Sequence, residues 1–242
     1  MPLTKSISQF VDNTLIDLGR QFRWSYLPPL MIYVAAGISG LTGIVGVFFI
    51  KDYLNLSAAF LAGLGFWAGI PWALKMPLGH LVDLIWQRKN YLVFVGAGLI
   101  ALSVIIMYGL IIHTETMASI LKVETWFIVS ALLAPVGYVT QDVVADAMTV
   151  EAVPSTDDQG NKYSTQQIKI MHTTMQTLGR FAIIGGFVLV ALVNVVMFTG
   201  VSALSEPEKI EIYGRIYLYA LIIPLVSVSG VFLAMYLKRL RL

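Results

Sequence analysis

Cysteine is absent from these 242 residues, and charge is scarce: Asp, Glu, Lys and Arg make up only 12% of the chain. The first absence excludes a disulfide framework, a thiolate metal site and thiol catalysis, and leaves the compartment open. The second excludes an ordinary soluble domain, because 57% of the residues are hydrophobic and mean hydropathy is +0.79. Short alternating strands are missing too, so a membrane β-barrel is not expected. Basic residues are spread among loops, and a net charge of +2 gives no indication of nucleic acid as a partner. No cofactor and no metal site is expected.

What the chain does have is apolar runs long enough to cross a hydrocarbon core, which takes roughly 20 residues for a thickness of about 30 Å. Backbone groups in lipid must be satisfied within the segment, so these runs are helices. Spans are predicted over Leu27–Ile50, Ala58–Met76, Tyr91–Ile112, Trp126–Val150, Ile168–Phe198 and Ile216–Leu237, giving a six-helix bundle over 27–242. One side of the membrane receives Lys5, Arg20, Arg23, Arg88, Lys89, Lys162, Lys169, Lys238, Arg239 and Arg241; the other receives Lys51, Lys122, Lys209 and Arg215. By the positive-inside rule both termini are cytoplasmic, as an even number of crossings requires.

Residues 1–26 show no cleavable signal-peptide pattern, since Met1–Arg23 lacks a continuous apolar core. Ile7, Phe10, Val11, Leu15 and Phe22 instead recur at helical spacing among Asp12, Asp17, Arg20 and Arg23. That pattern predicts an amphipathic helix lying in the interface, with Trp24 and Tyr26 at headgroup level. In the first span, Gly37, Gly40, Gly43 and Gly46 follow one another at intervals of three, and such small-residue stripes ordinarily serve helix packing.

The fourth span carries Tyr138, Asp142 and Asp146 at i, i+4 spacing, which places them on one face with Thr149 close by. Intramembrane carboxylates are costly and usually mark a transport, coupling or catalytic site. Two of them one turn apart repel each other, so at least one is expected to hold a proton near neutral pH unless cations neutralise the pair. Pro135 and Gly137 precede the stripe and would allow the helix to bend. The fifth span offers candidate cations on a polar stripe of Lys169, His172, Thr173, Gln176 and Arg180. Arg180 cannot deprotonate and is too costly facing lipid, so it must meet an acid, a cavity or an anionic ligand. The acidic pair is its expected partner. Either a static salt bridge or a substrate and coupling role satisfies that reading. His172 is read as a polar lining residue or a proton relay.

Lys75 lies one turn inside the end of the second span, where snorkelling, an ion pair and contact with an anion are all open. Beyond it come Gly79, Asp83, Arg88 and Lys89. Gly-x-x-x-Asp followed by a basic pair resembles the loop between the second and third helices of the major facilitator superfamily. There the Gly permits tight helix contact and the Asp interacts with neighbouring helix ends and basic residues. A basic residue usually follows the Asp directly, where this chain has Leu84.

Taken in order, Leu27-Pro28-Pro29-Leu30, Lys51-Asp52-Tyr53-Leu54-Asn55-Leu56-Ser57, Trp72-x-x-Lys75-x-x-x-Gly79-x-x-x-Asp83, Asp142-Val143-Val144-Ala145-Asp146 and Gln176-x-x-x-Arg180 resemble the folate-biopterin transporter family, a branch of that superfamily. The resemblance runs from about Arg23 to Leu237. It implies a major-facilitator-like half of two three-helix repeats. It also implies uptake of folate- or pterin-like anions by proton symport, with Lys75, Asp142, Asp146 and Arg180 as the matching charged residues. A family member has about twelve spans, so the N-terminal half alone is matched here. Met76 separates Lys75 from Pro77, where the family has Lys-Pro. The expected partners are the lipid bilayer, a small anionic substrate, and a second six-helix half, a second copy or a larger membrane complex. The expected location is a bacterial inner membrane or an organelle membrane of bacterial origin.

Two other classes stay open. One is an accessory or scaffold subunit of a larger membrane complex, in which the polar stripes act as internal ties. The other is an intramembrane Mg-dependent transferase, since Asp-x-x-x-Asp can hold Mg²⁺ against a diphosphate. Such enzymes carry further acids in matching motifs, and here only Glu151 and Asp83 lie nearby.

Overall fold

The computed structural model describes residues 17–49, 56–157 and 159–240. Among them the helices are joined by short turns and loops, and there is no strand apart from one isolated bridge between Thr156 and Lys162. Six helices are long and apolar enough to cross a membrane: α1 (Trp24–Val47), α2 (Ala58–Leu84), α3 (Asn90–Ile112), α4 (Val123–Ala152), α5 (Thr165–Phe198) and α6 (Glu206–Leu240). The protein is an integral membrane protein of all-α class. Most of the amphipathic segment expected over 1–26, and the matched run Lys51–Asn55, fall outside the described residues.

Several helices start earlier or end later than the apolar runs, because caps rather than hydropathy set their ends. Ser164 and Gln167 form a reciprocal capping box that starts α5 at Thr165, and Ser205 with Glu208 does the same for α6 at Glu206. Prolines set the interruptions. α2 breaks at Leu74 and resumes at Lys75, with Pro77 unable to donate in the next turn. α6 breaks at Leu221, three residues before Pro224. α1 tightens to a 3₁₀ helix over Ile38–Thr42, and the period-three glycines span that stretch.

The main contacts run from α1 to α4, α5 and α6, from α4 to α2 and α3, and between α3 and α6. Exchanging α1 with α4, α2 with α5 and α3 with α6 maps this set onto itself. Two three-helix repeats produce that relation. Because α1 and α4 cross the membrane in opposite directions, the repeats are inverted.

Lipid offers no hydrophobic drive between helices, so close packing and buried polar ties hold the bundle. A Cβ on Gly37 would run into Ile183 O on α5, and one on Gly137 would lie 2.6 Å from Gly96 O on α3. Gly137 therefore lets α3 approach α4 closely. The glycine stripe of α1 divides: Gly37 packs against α5, whereas Gly43 has open space and borders a cavity with Gly46. Ser103 and Ser130 donate to each other's carbonyls across α3 and α4. Gln141 Nε2 donates to Ser227 Oγ at 2.9 Å and Val93 O at 3.1 Å, tying α4 to α6 and α3. At the entry to α1, Ser25 Oγ donates to Ala152 O. Trp24 is exposed, but Tyr26, expected beside it at headgroup level, is fully buried.

Candidate functional site

Tyr138, Asp142, Asp146 and Thr149 share one face of α4, as their spacing requires, and that face borders a cavity of about 1120 Å³. The break in α2 makes Lys75 the first residue of its second helical piece. Its Nζ lies 2.6 Å from Asp142 Oδ2 and 2.9 Å from Asp146 Oδ2, so one ammonium bridges both acids. The Tyr33 hydroxyl on α1 donates to Asp146 Oδ1 at 2.6 Å, which engages both oxygens of that carboxylate. The Asp142 side chain is only 12% exposed, while Asp146, at 49%, opens onto the cavity.

Gln176 and Arg180 border the same cavity from α5. Lys75 makes the direct contacts with both acids, whereas Arg180 forms no hydrogen bond or ion pair with any described residue and acts on Asp142 only through its charge. A compact ammonium with three donors fits between two carboxylates one turn apart more readily than a planar guanidinium fork does. The formal charges of Lys75, Arg180, Asp142 and Asp146 nevertheless sum to zero. His172 is half-buried and does not border the cavity.

The residues of the loop motif do not act together. A Cβ on Gly79 would meet nothing within 4 Å, so no helix among the described residues presses on it. Asp83 is exposed and has no partner among the described residues. Arg88 is exposed. Lys89 alone is buried, stacked 4.0 Å from the Trp86 ring centre and ion-paired with Glu151 at the end of α4. Lys89 thus ties the loop to α4 through a carboxylate other than Asp83.

Tyr33 was not singled out from sequence. A lone tyrosine among apolar neighbours in a first span resembles any buried aromatic, and its acid partner lies on a helix more than a hundred residues away. Trp72, one turn before Lys75 on the same wall, was equally unmarked as a lining residue. A lysine ammonium held between Asp142 and Asp146 also occupies the position a divalent cation would need. Among the described residues no group of three or more His, Asp or Glu side chains is placed to hold a metal.

Charged side chains at membrane depth are costly, and here they face a cavity inside the bundle and not lipid. The chain is similar to a folate-biopterin transporter. That relative, from Synechocystis sp. (strain ATCC 27184 / PCC 6803 / Kazusa), is 30% identical over 138 residues, which is 55% of this chain. The match covers 26% of the relative's own length. No family model and no solved structure matches the chain. Together with the six apolar helices, the similarity supports a transporter-like membrane protein.

Proposed function

We propose that this chain is half of a carrier for small organic anions of the folate or pterin type, coupled to protons, and that a second six-helix unit covers its open cavity wall. The observation that carries the reading is the division of labour between two cations. Lys75 is held by both acids, whereas Arg180 borders the cavity with its donors in no hydrogen bond or ion pair among the described residues and acts on Asp142 through its charge alone. A guanidinium whose donors are uncommitted in a cavity calls for an anion, and its planar donors suit a carboxylate. Binding an anion at Arg180 leaves the neutral cluster with excess negative charge, which a proton on Asp146 or Asp142 reduces by one. Proton and anion then move together because neither is comfortable in a low-dielectric cavity alone. With both termini in the cytoplasm, the charged end of the cavity lies toward the cytoplasmic side. The second unit is needed because lipid does not tolerate charges at membrane depth on an uncovered face.

The test is uptake of labelled folate by vesicles carrying the full chain, with and without an inward proton gradient. The expected result is uptake that the gradient accelerates, and that is lost in Arg180→Gln and uncoupled from the gradient in Asp142→Asn/Asp146→Asn. Wild-type coupling in that double variant would sink the proton assignment.

A further inference from the structure

The chain enters α1 through a short strap whose side chains alternate in direction. Gln21 Oε1 accepts a hydrogen bond from Thr174 Oγ1 of α5 at 2.7 Å. Arg23 Nη2 donates to the Tyr163 hydroxyl at 3.2 Å, with the guanidinium 5.6 Å from that ring's centre, and Ser25 Oγ donates to Ala152 O at the end of α4. The residues between them are turned away from these ties. Phe22 and Trp24 are exposed, Trp24 by 73%, and their rings meet edge to face with centroids 6.1 Å apart. The backbone at Arg23 is extended, with φ −124° and ψ 144°, and successive side chains of extended chain take opposite sides. Polar ties at Gln21, Arg23 and Ser25 therefore leave the two aromatics outward.

Trp24 is also the first residue of the α1 span, and aromatic rings at the end of a span sit at the level of the lipid headgroups. Arg20 is exposed just before the pair, and exposed Lys162 adjoins Tyr163, to which the strap is tied. The ten Lys and Arg residues on this predicted cytoplasmic side outnumber its six acids, Asp12, Asp17, Asp83, Glu151, Asp157 and Asp158, and the balance reverses on the other side. Outward aromatic surface at headgroup depth, flanked by positive charge, is complementary to negatively charged phospholipid.

We infer that the strap over residues 20–25 is a seat for anionic phospholipid of the cytoplasmic leaflet, with Phe22 and Trp24 among the upper acyl carbons and Arg20 and Lys162 at the headgroup phosphate. Nothing at this surface depends on which solute the cavity takes. α4 and α5 are not principal neighbours in the bundle, and the strap joins their ends. Lipid seated here therefore bears on both helices that carry the charged groups of the cavity.

The experiment is tryptophan fluorescence of the full chain in phosphatidylcholine vesicles containing the same minor fraction of either phosphatidylglycerol or phosphatidylcholine brominated high on the acyl chain. Subtracting the signal of Trp24→Phe isolates Trp24 from the other tryptophans. Trp24 is expected to be quenched more strongly by the brominated phosphatidylglycerol, and added salt should weaken that preference in the unaltered chain. Arg20→Gln/Lys162→Gln, which replaces two exposed side chains, should lower the preference at least about fivefold. Lys238→Gln/Arg239→Gln, on the same side but at the end of α6, should leave it unchanged. Equal quenching by the two lipids would overturn the inference, as would an equal loss of preference in the Lys238 and Arg239 variant, which would assign the effect to the charge of the whole face. Trp24 reached by aqueous iodide and by neither lipid would place the strap in water, and Trp24 shielded from both would mean that protein covers it. Either result would overturn the lipid seat.

Discussion

The ring of Tyr33 lies so close to Gly179 that a Cβ on the glycine would sit 2.9 Å from two of its carbons. The same tyrosine donates its hydroxyl to Asp146, so α1 is wedged between the acid of α4 and the residue preceding Arg180 on α5. Gly179→Ala should push the ring aside and break the hydroxyl's contact with Asp146. Overpacking of this kind costs about 1–3 kcal/mol. The expected outcome is a lowered unfolding temperature, together with loss of folate uptake similar to that of Tyr33→Phe. A Gly179→Ala variant with normal uptake would show that Tyr33 does not need its present seat.

Lys75 contacts two carboxylates at once, so its loss should matter more than that of either acid. Lys75→Met leaves Asp142 and Asp146 facing each other one turn apart with only the charge of Arg180, which is in direct contact with neither, against them. Breaking a fully buried pair costs about 3–5 kcal/mol, and the 40% exposure of the lysine side chain places this one below that range. Adding Asp142→Asn should restore much of the lost stability, because the remaining acid keeps its hydrogen bond from Tyr33. A double-mutant cycle on thermal unfolding measures the coupling, and strictly additive effects would contradict the bridged geometry.

The glycines of α1 make opposite predictions although their spacing is uniform. Gly37→Ala should disrupt the crossing of α1 and α5, since a methyl group there collides with the Ile183 carbonyl and lies 3.0 Å from Gly186 Cα. Gly43→Ala should fold normally, because nothing lies within 4 Å of the added carbon. Comparing yield and unfolding temperature of the two variants checks the assignment.

The acid pair was legible in sequence because helix periodicity is local: an i, i+4 spacing fixes a shared face whatever the rest of the chain does. The apolar runs declared the six spans for the same reason. Which cation meets the acids was not legible. Lys75 and Arg180 fit equally until the break at Leu74 places Lys75 beside α4, and that break precedes a proline three residues further on. Gly37 and Gly43 look identical in sequence, and only the position of α5 separates a packing glycine from a cavity glycine. The inverted repeat left no clear sequence symmetry because helix packing preserves contacts between positions, not residue identities.

Between α4 and α5, the Asp157 carboxylate accepts the backbone N–H groups of Asn161 at 2.8 Å and Gln159 at 2.9 Å, which holds its carboxyl below the usual carboxylate range. A depressed folded value stabilises the turn at pH values above the ordinary value of about 3.9. That contribution disappears as pH falls through the folded value. Asp157→Ala should therefore speed amide exchange at Gln159 and Asn161 at neutral pH, and the wild type should approach the variant only in strong acid. Equal exchange rates at pH 7 would remove the carboxylate from the turn.

Lys89 and Glu151 form an unequal pair, and the inequality predicts which loss is worse. The lysine side chain is 5% exposed and the glutamate 46%. Lys89→Met removes a buried charge, leaves an apolar stem-like side chain against Trp86, and releases a glutamate that water can hydrate. Glu151→Gln instead leaves the buried ammonium with the Trp86 carbonyl and ring but no counter-charge. An uncompensated buried charge is the more expensive outcome, by about 1–3 kcal/mol. Glu151→Gln should accordingly lower the unfolding temperature further than Lys89→Met, and the double variant should be more stable than Glu151→Gln alone. The reverse order would mean that the lysine, rather than its burial, supplies the stability of this corner.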